Sequence, residues 1–299
     1  MCFAANDELI HIQKFQFLVN LKIKEKILGD ISKWSNISKT LLLPLYFRAI
    51  ESQKKGGNFS DEKAAEIIKK IDYDFDRMDG FKVLQSATIM REKSFDFLVS
   101  EFIKENPFSI VINIGAGLDT RFFRMDNGKI NWYELDLPEI IGVRKELFDE
   151  TDRYKFIAAS AFDIRWVKKI KNKDQRPVLI IAEGILLYFS KPMVKKFVKE
   201  LRIKFAGANL IFDAVTPEQA AASFFNPALS MMDVCFKWGM RTIDELALWD
   251  SNIETKDVIY YFKPSFEKLG WYGWFSMVPA IRFGFYIVSC VLGKESGEK

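Results

Sequence analysis

The first third of the chain has the apolar spacing of helices. Up to about residue 107, apolar residues recur at steps of three and four through KIKEKIL, SKTLLLPLYFRAIES, DEKAAEIIKKI and TIMREKSFDFLVSEFI. These steps place side chains on one face of a helix, because an α-helix makes one turn in about 3.6 residues. The pattern predicts a helical cap or lid over residues 1–107, with a loop from Gln53 to Ser60.

After Pro107 the pattern changes to short apolar runs that alternate with amphipathic segments. Strands are predicted over 110–114, 131–135, 155–158, 178–181 and 209–213, and helices over 119–125, 138–150, 163–171 and 191–204. Strands that alternate with helices are typical of βαβ units, whose strands lie parallel. The chain is therefore predicted to have an α/β fold, with a Rossmann-like domain over residues 108–299.

The end of the chain predicts a departure from the parallel sheet. Aromatic residues are dense from Gly270 to Phe275, and the apolar run FGFYIVSCVLG follows at 283–293. The second run is too short to span a bilayer and is predicted to be a strand. We expect the two segments to pair as antiparallel strands. The segment near 216–250 is expected to be an insertion beside a substrate cleft.

Composition and charge exclude several classes of partner. The 299 residues carry 44 basic and 40 acidic side chains, giving a net charge of +4 without a long block of one sign. Nucleic-acid binding is therefore not expected. The first residues lack the basic start of a secretory signal, and we expect a cytoplasmic protein without a membrane segment. The sequence does not indicate an oligomeric state.

The residue types that hold metals or act as nucleophiles are sparse. The three cysteines, Cys2, Cys235 and Cys290, are far apart, which argues against disulfides and against a metal cluster. His11 is the single histidine and lies far in sequence from every motif described below. No catalytic triad is predicted, no metal is expected, and no general base is identified.

The strongest motif is the glycine turn Gly115-Ala116-Gly117 in SIVINIGAGLDTRFF. It follows a buried strand and precedes a helix start, which is the context of a nucleotide site. The alternative is a tight turn that needs glycine for its backbone alone. Asp119, Thr120 and Arg121 come next and could shape the cofactor loop, but a cap of the following helix by Asp119 or Thr120 is the preferred interpretation.

Asp136 ends the second predicted strand, about twenty residues after the turn, where an acid accepts hydrogen bonds from ribose hydroxyls. The alternative for Asp136 is a cap for the helix that opens at Pro138. Thr120 occupies the position at which a nicotinamide-binding domain carries its third glycine, so NAD is disfavoured.

Several segments resemble one enzyme family. The motifs IGAGLDTRFFR, YELDLPEII and IAEGILLYFS are similar to the leucine carboxyl methyltransferase family, especially its TcmP-like polyketide O-methyltransferase branch. KTLLLPLYFRAIES and IDYDFDRMDG resemble that branch too, so the likeness covers roughly residues 38 to 215. The resemblance implies a class I methyltransferase sheet that uses S-adenosyl-L-methionine as its cofactor.

The resemblance also implies roles for single residues. Arg91 corresponds to the arginine that clamps the methionyl carboxylate, and Glu183 to the acid beside the cofactor's amino-acid portion. The cofactor-binding prediction comprises Arg91, Gly115, Ala116, Gly117, Asp136, Asp163, Glu183 and Gly184. For Asp163 a place near the adenine and a capping role for the helix after it are equally open.

The methyl acceptor is expected to be a small molecule, possessing a hydroxyl or a carboxylate. Tyr46, Arg48 and Tyr188 are candidates for binding it. Phe225, Phe236 and Trp238 are further aromatic candidates, although packing in the core is the stronger interpretation for each. Two other functions stay open: methylation of a protein's C-terminal carboxylate, and binding of the cofactor without turnover.

Overall fold

The computed structural model describes residues 41–54, 56–57, 59–71, 73–172, 174–226, 229–230, 234–262 and 278–293. His11, Cys2 and the predicted strand from Gly270 to Phe275 lie outside the described residues. Within them, no helix combines the length and the apolar character needed to cross a membrane.

The described strands form one seven-stranded sheet, in the order β3-β2-β1-β4-β5-β7-β6. Their bounds are β1 Ile110–Ile114, β2 Asn131–Asp136, β3 Tyr154–Ala158, β4 Val178–Ala182, β5 Asn209–Val215, β6 Ile253–Tyr260 and β7 Phe285–Leu292. Strands β1 to β5 are parallel, β7 is antiparallel to β5, and β6 is antiparallel to β7. This arrangement confirms the predicted Rossmann-like α/β fold.

The α-helices of the described residues precede the sheet or connect its strands. Their bounds are α1 Leu42–Ser52, α2 Glu62–Ile67, α3 Lys82–Glu105, α4 Arg121–Met125, α5 Pro138–Leu147, α6 Lys191–Lys204, α7 Pro217–Ala222, α8 Glu245–Trp249 and α9 Pro279–Arg282. The helix predicted over 163–171 is instead a 3-10 turn, Ile164–Lys169. The division of the chain at residue 107 stays a prediction.

The two faces of the sheet pack against different helices. Strands β1 and β4 are buried along their whole length, as near-continuous apolar strands of a parallel sheet should be. Alternate residues point to opposite faces. Val111 shares one apolar cluster with Phe47 of α1 and Phe95 of α3, whereas Ile112 shares the other with Phe197 of α6. The N-terminal helices thus cover one face of the sheet.

The predicted C-terminal antiparallel pair is confirmed by β7 and β6, while the predicted strand from Gly270 to Phe275 stays a prediction. β7 lies where the run at 283–293 predicted a strand, but it pairs with β6, for which no strand was predicted. β6 has the sequence IETKDVIY and its register shifts between Thr255 and Asp257. It is an edge strand, and edge strands carry charges and bulges that break the alternation of apolar and polar residues.

Candidate cofactor and acceptor site

A cavity of about 570 Å³ lies at the carboxyl edge of the sheet. Parallel strands end at the same edge, so the segments that follow β1, β4 and β5 meet there. The wall includes the turn after β1, Glu183 and Gly184 after β4, and Asp213 near the end of β5. Residues of α1 and α3 also line the cavity. The structure therefore places the N-terminal helices beside the predicted cofactor residues.

The glycine turn has a backbone that other residues rarely adopt. Gly115 and Gly117 have φ values of +68° and +49°. The amides of Gly115 and Ala116 donate to the carbonyl oxygen of Leu135, at 2.8 and 3.1 Å. A Cβ on Gly115 would lie 2.5 Å from the Cδ1 atom of Ile185. Glycine is needed here both for its left-handed conformation and for the close approach of Ile185.

Asp136 is bound to this turn through its carboxylate. Oδ2 accepts the amide of Gly117 at 2.7 Å, and Oδ1 accepts the amide of Leu137 at the same distance. Burial raises the pKa of this carboxyl, against the lowering effect of the two amide hydrogen bonds. Each carboxylate oxygen retains a second lone pair, so Asp136 is still able to accept a ribose hydroxyl. Its ribose role stays a prediction.

Arg91 and Glu183 form an ion pair in the wall of the cavity. The Nε of Arg91 donates to Oε1 of Glu183 at 2.7 Å, and Arg91 Nη1 lies 3.6 Å from Oδ2 of Asp213. Gly184 adjoins the same guanidinium: its φ is +64°, and a Cβ there would lie 3.6 Å from Arg91 Nη1. The Arg91 side chain is 20% exposed, so it is accessible from the cavity. An arginine and a carboxylate side by side match the two charges of an amino acid.

A buried ion network joins the N-terminal helices to the glycine turn. Its members are Arg48, Asp61, Glu92, Asp96, Asp119, Arg121 and Arg124. Asp61, which caps α2, accepts from the side chains of Arg48 and Arg124 at 3.0 and 2.7 Å. Arginine forks bound to carboxylates hold the helices in one position relative to β1.

The structure brings part of the predicted acceptor site to the cavity. Tyr188 lines it and contacts the ring of Phe236 edge-on, at 5.7 Å between ring centroids. Arg48 also lines it, but its guanidinium is hydrogen-bonded to Asp61, to Glu92 and to a backbone carbonyl. Tyr46 is absent from the wall; its hydroxyl donates to Asp79 and its ring stacks on Phe75.

Asp163 is likewise absent from the wall of the cavity. It is the N-cap of the turn Ile164–Lys169, and its carboxylate accepts from the Arg165 amide and guanidinium. The capping alternative therefore describes its contacts, and its place near an adenine stays a prediction. Of the other aromatic candidates, Trp238 is buried and donates to a backbone carbonyl, whereas Phe225 is 80% exposed.

Another part of the wall is apolar. Leu187 and Val215 form a small cluster with Ala220, and Phe236 and Phe285 pack against it. Apolar side chains from the N-terminal region line the cavity as well, among them Phe81 and Leu84. Gln219, Ser223 and Asn226 add uncharged polar groups. This part of the cavity suits a ligand that is mostly apolar.

The comparisons with known proteins agree with the geometry. A family model for leucine carboxyl methyltransferase matches residues 42–202, more than half of the chain. The chain belongs to the leucine carboxyl methyltransferase family. The matched range contains the ion network, the glycine turn and the Arg91–Glu183 pair.

Two curated relatives cover most of the chain. The tetracenomycin polyketide synthesis O-methyltransferase TcmP of Streptomyces glaucescens is 27% identical over 214 residues, which are 71% of this chain and 78% of that protein. The S-adenosyl-L-methionine-dependent methyltransferase dpfgK of Gibberella zeae is 23% identical and covers 79% of this chain and 86% of its own. The chain is accordingly a methyltransferase that depends on S-adenosylmethionine.

A solved structure supports the fold. A DUF574 family protein from Streptomyces avermitilis aligns with a TM-score of 0.57 and 12% identity, over 84% of this chain and 96% of that one. At this identity the likeness concerns the architecture alone.

Sequence reasoning missed the ion network. Arg121 was interpreted as part of a helix cap, yet its side chain is fully buried and hydrogen-bonded to carboxylates from three parts of the chain. Thr120 makes no side-chain cap, and its hydroxyl donates to Asp61 instead. Asp119 lies two residues before Arg121, but the other three carboxylate partners lie 25 to 62 residues away, so local spacing carries no signal for them.

Proposed function

We propose that the protein transfers the methyl group of S-adenosylmethionine to a hydroxyl group of a mostly apolar small molecule. The observation that carries this proposal is that the cations in the cavity wall already have carboxylate partners. Arg48 and Arg91 are the cations lining it among the described residues, and each is ion-paired with carboxylates. The apolar part around Leu187 and Val215 offers no charged partner for an anionic acceptor.

A carboxylate acceptor would fit this wall less well. Moving an ionised carboxylate out of water is costly unless a cation or several donors replace its hydration. A hydroxyl group is neutral before the reaction and avoids this cost. This argument favours O-methylation of a hydroxyl over formation of a methyl ester.

The residues of the chain contribute binding, orientation and exclusion of water. When bound, the cofactor supplies an electrophilic methyl group on a sulfonium. Arg91 is suited to bind its carboxylate and Glu183 its ammonium group, which fixes the methionine end at the carboxyl edge of the sheet. The apolar wall then orients the acceptor in line with the methyl group and keeps water away from it. The similarity to TcmP, a polyketide-synthesis O-methyltransferase, supports an acceptor of this kind.

Matched acceptors test the proposal. The purified protein would be incubated with S-adenosylmethionine and pairs of polycyclic aromatic compounds that carry either a phenolic hydroxyl or a carboxyl group on the same ring system. A third set would be peptides and proteins with a free C-terminal carboxylate, which represent the alternative function. Products would be identified by mass spectrometry.

The proposal expects methyl ethers from the phenols and little ester from the matched acids. Treatment with mild alkali separates the two products, because methyl esters hydrolyse and aryl ethers do not. Esters from the acids or from peptide C-termini, with unmodified phenols, would contradict the hydroxyl proposal. Tight binding of S-adenosylhomocysteine without product from any set would favour a cofactor-binding module instead.

A further inference from the structure

Arg121 is the fully buried centre of the ion network. Its Nε donates to Asp96 at 2.6 Å and its Nη1 donates to Asp119 at 2.8 Å. Its Nη2 is shared between two carboxylates, Glu92 Oε2 at 2.8 Å and Glu183 Oε2 at 2.7 Å. The side chain has 0% exposure, so Arg121 itself cannot reach a ligand. Any effect on the cofactor must pass through another residue.

Glu183 is the residue that joins Arg121 to the Arg91 side chain in the cavity wall. Its Oε2 accepts from Arg121 and its Oε1 accepts from Arg91, so both oxygens have a fixed donor. Glu183 follows β4 and lines the cavity, 10% exposed. The Arg121 side chain contacts Glu183 from within the buried ion network, whereas the Arg91 side chain is accessible from the cavity. The carboxylate is thus held in one orientation before any ligand arrives.

We propose that Arg121 is a positioning residue, which holds the Glu183 carboxylate ionised and oriented for the ammonium group of S-adenosylmethionine. The inference rests on the assignment, made under the proposed function, that Glu183 contacts this ammonium. Its geometric basis is the hydrogen bond from Arg121 Nη2 to Glu183 Oε2 combined with the complete burial of Arg121. A pre-oriented carboxylate binds its partner without an ordering cost.

The charges around Glu183 explain why a positioning cation is needed. The charged or titratable groups that face it are Arg91 and Glu92 of α3, Asp119 and Arg121 of the segment after β1, and Tyr261. Burial and the Glu92 carboxylate raise the pKa of Glu183 to about 7, while Arg121 and Arg91 lower it. Without Arg121 the remaining acids would favour the protonated form, which cannot pair with an ammonium group.

Arg124 provides a matched control. It lies one helical turn after Arg121 and belongs to the same network, with hydrogen bonds to Asp61, Asp96 and Glu92. Its hydrogen bonds do not include Glu183. Arg124→Met therefore removes a buried guanidinium from the network and leaves both donors of Glu183 in place. A purely structural role for Arg121 would make the two variants behave alike.

The test measures the affinity of two ligands between pH 6.5 and pH 8.5 by calorimetry. S-adenosylhomocysteine carries the ammonium group, whereas 5′-methylthioadenosine lacks the whole amino-acid portion. In Arg121→Met we expect the affinity for S-adenosylhomocysteine at pH 7 to fall by about fivefold or more, as an increase of one unit or more in the Glu183 pKa from about 7 implies. The loss should shrink as the pH rises, and affinity for 5′-methylthioadenosine should stay within about twofold.

Arg121→Lys should restore part of the affinity, because it keeps the charge but has one donor group where arginine has a fork. If Arg121→Met does not fold, the comparison of Arg121→Lys with Arg124→Lys carries the same test. The proposal is overturned by equal losses for both ligands, or by a pH profile of the Arg121 variant parallel to that of the wild type. Failure of the wild type to bind S-adenosylhomocysteine would contradict the cofactor assignment instead, so the two failures are distinguishable.

Discussion

At the scale of residues, the cavity contains an ion pair whose charges mirror those of an amino acid. Arg91 and Glu183 lie 2.7 Å apart, and the methionine end of the cofactor carries a carboxylate and an ammonium group. In the proposed complex the cofactor's carboxylate lies beside Arg91 and its ammonium group beside Glu183, so that four charges alternate in sign. Because both side chains are already fixed by neighbours, binding requires little reorganisation.

The raised pKa of Glu183 predicts how cofactor binding depends on pH. Burial, followed by the Glu92 carboxylate, raises that pKa to about 7 in the free protein. An ammonium ligand favours the ionised form, so binding below pH 7 must first release the proton from Glu183. We expect the affinity for S-adenosylhomocysteine to rise about fivefold between pH 6 and pH 7 and about twofold more up to pH 8, and to level off above.

Calorimetric titrations of the wild type at pH 6, 7 and 8 measure this dependence. Glu183→Gln is the control: it should bind more weakly and show a flat profile across the same range. An affinity that falls with rising pH, or an equally steep profile in Glu183→Gln, would place the titrating group elsewhere.

Single residues differ in how far the sequence predicts them. The glycine turn and Asp136 follow from a strand, a turn and an acid at the right spacing, and the structure places them together. Arg91 follows from the family resemblance alone, since nothing in a helical sequence separates a site arginine from a solvated one. The role of Arg121 could not be predicted, because three of its four carboxylate partners come from α3 and from the segment after β4.

At the scale of elements, the cofactor site depends on helices that precede the sheet. α3 is a 24-residue helix that supplies both Arg91 and two carboxylates of the ion network. α1 and α2 are attached to the glycine turn through Arg48 and Asp61: Arg48 Nη2 donates to the carbonyl of Leu118 at 2.8 Å. The position of the N-terminal helices and the shape of the turn are therefore coupled.

Asp61→Asn tests the contribution of the network to stability. The substitution retains an oxygen for the cap of α2 but removes the charge shared by Arg48 and Arg124, so each of these cations loses one of its carboxylate partners. We expect the free energy of unfolding to fall by about 3 kcal/mol. Urea denaturation followed by circular dichroism measures this change.

Glu66→Gln is the matched control on the same helix, because it breaks surface ion pairs with Lys63 and Lys70. It should cost less than about 1 kcal/mol. Comparable losses in the two variants would mean that the buried network contributes no more to the fold than a surface pair.

The elements also show where apolar periodicity stops being informative. β1 and β4 are buried on both faces and stand out as continuous apolar runs. β6 is exposed along one edge and interrupted by a register shift, so its sequence alternates poorly. The turn Ile164–Lys169 has helical periodicity over too few residues to separate a 3-10 turn from an α-helix.

At the scale of the whole molecule, the strand order places three of the predicted cofactor segments at one edge of one sheet. β1 lies between β2 and β4, so the glycine turn, Asp136 and Glu183 follow three adjacent strands. The fold class was predictable because the βαβ alternation constrains the order and handedness of the connections. The set of residues that line the acceptor cavity was not predictable from the sequence, since these residues come from α1, α3 and the segment after β5.

Ligand binding at this edge should stabilise the whole fold. At a concentration one hundred times its Kd, S-adenosylhomocysteine should add about 2.7 kcal/mol to the free energy of unfolding, since it binds the folded state alone. We therefore expect the Tm to rise by several degrees in a thermal-shift experiment. NAD at the same concentration serves as the control, and an equal shift with NAD would contradict the assignment of the glycine turn to S-adenosylmethionine.

The central claim is that the Arg91–Glu183 pair holds the amino-acid end of the cofactor while the apolar wall around Leu187 and Val215 receives the acceptor. A crystal structure with bound S-adenosylhomocysteine tests it most directly. The account predicts the carboxylate on Arg91, the ammonium group within hydrogen-bond distance of Glu183, and an open space bordered by the apolar wall beside the sulfur atom. A carboxylate bound to another cation, or adenosine occupying the apolar wall, would contradict it.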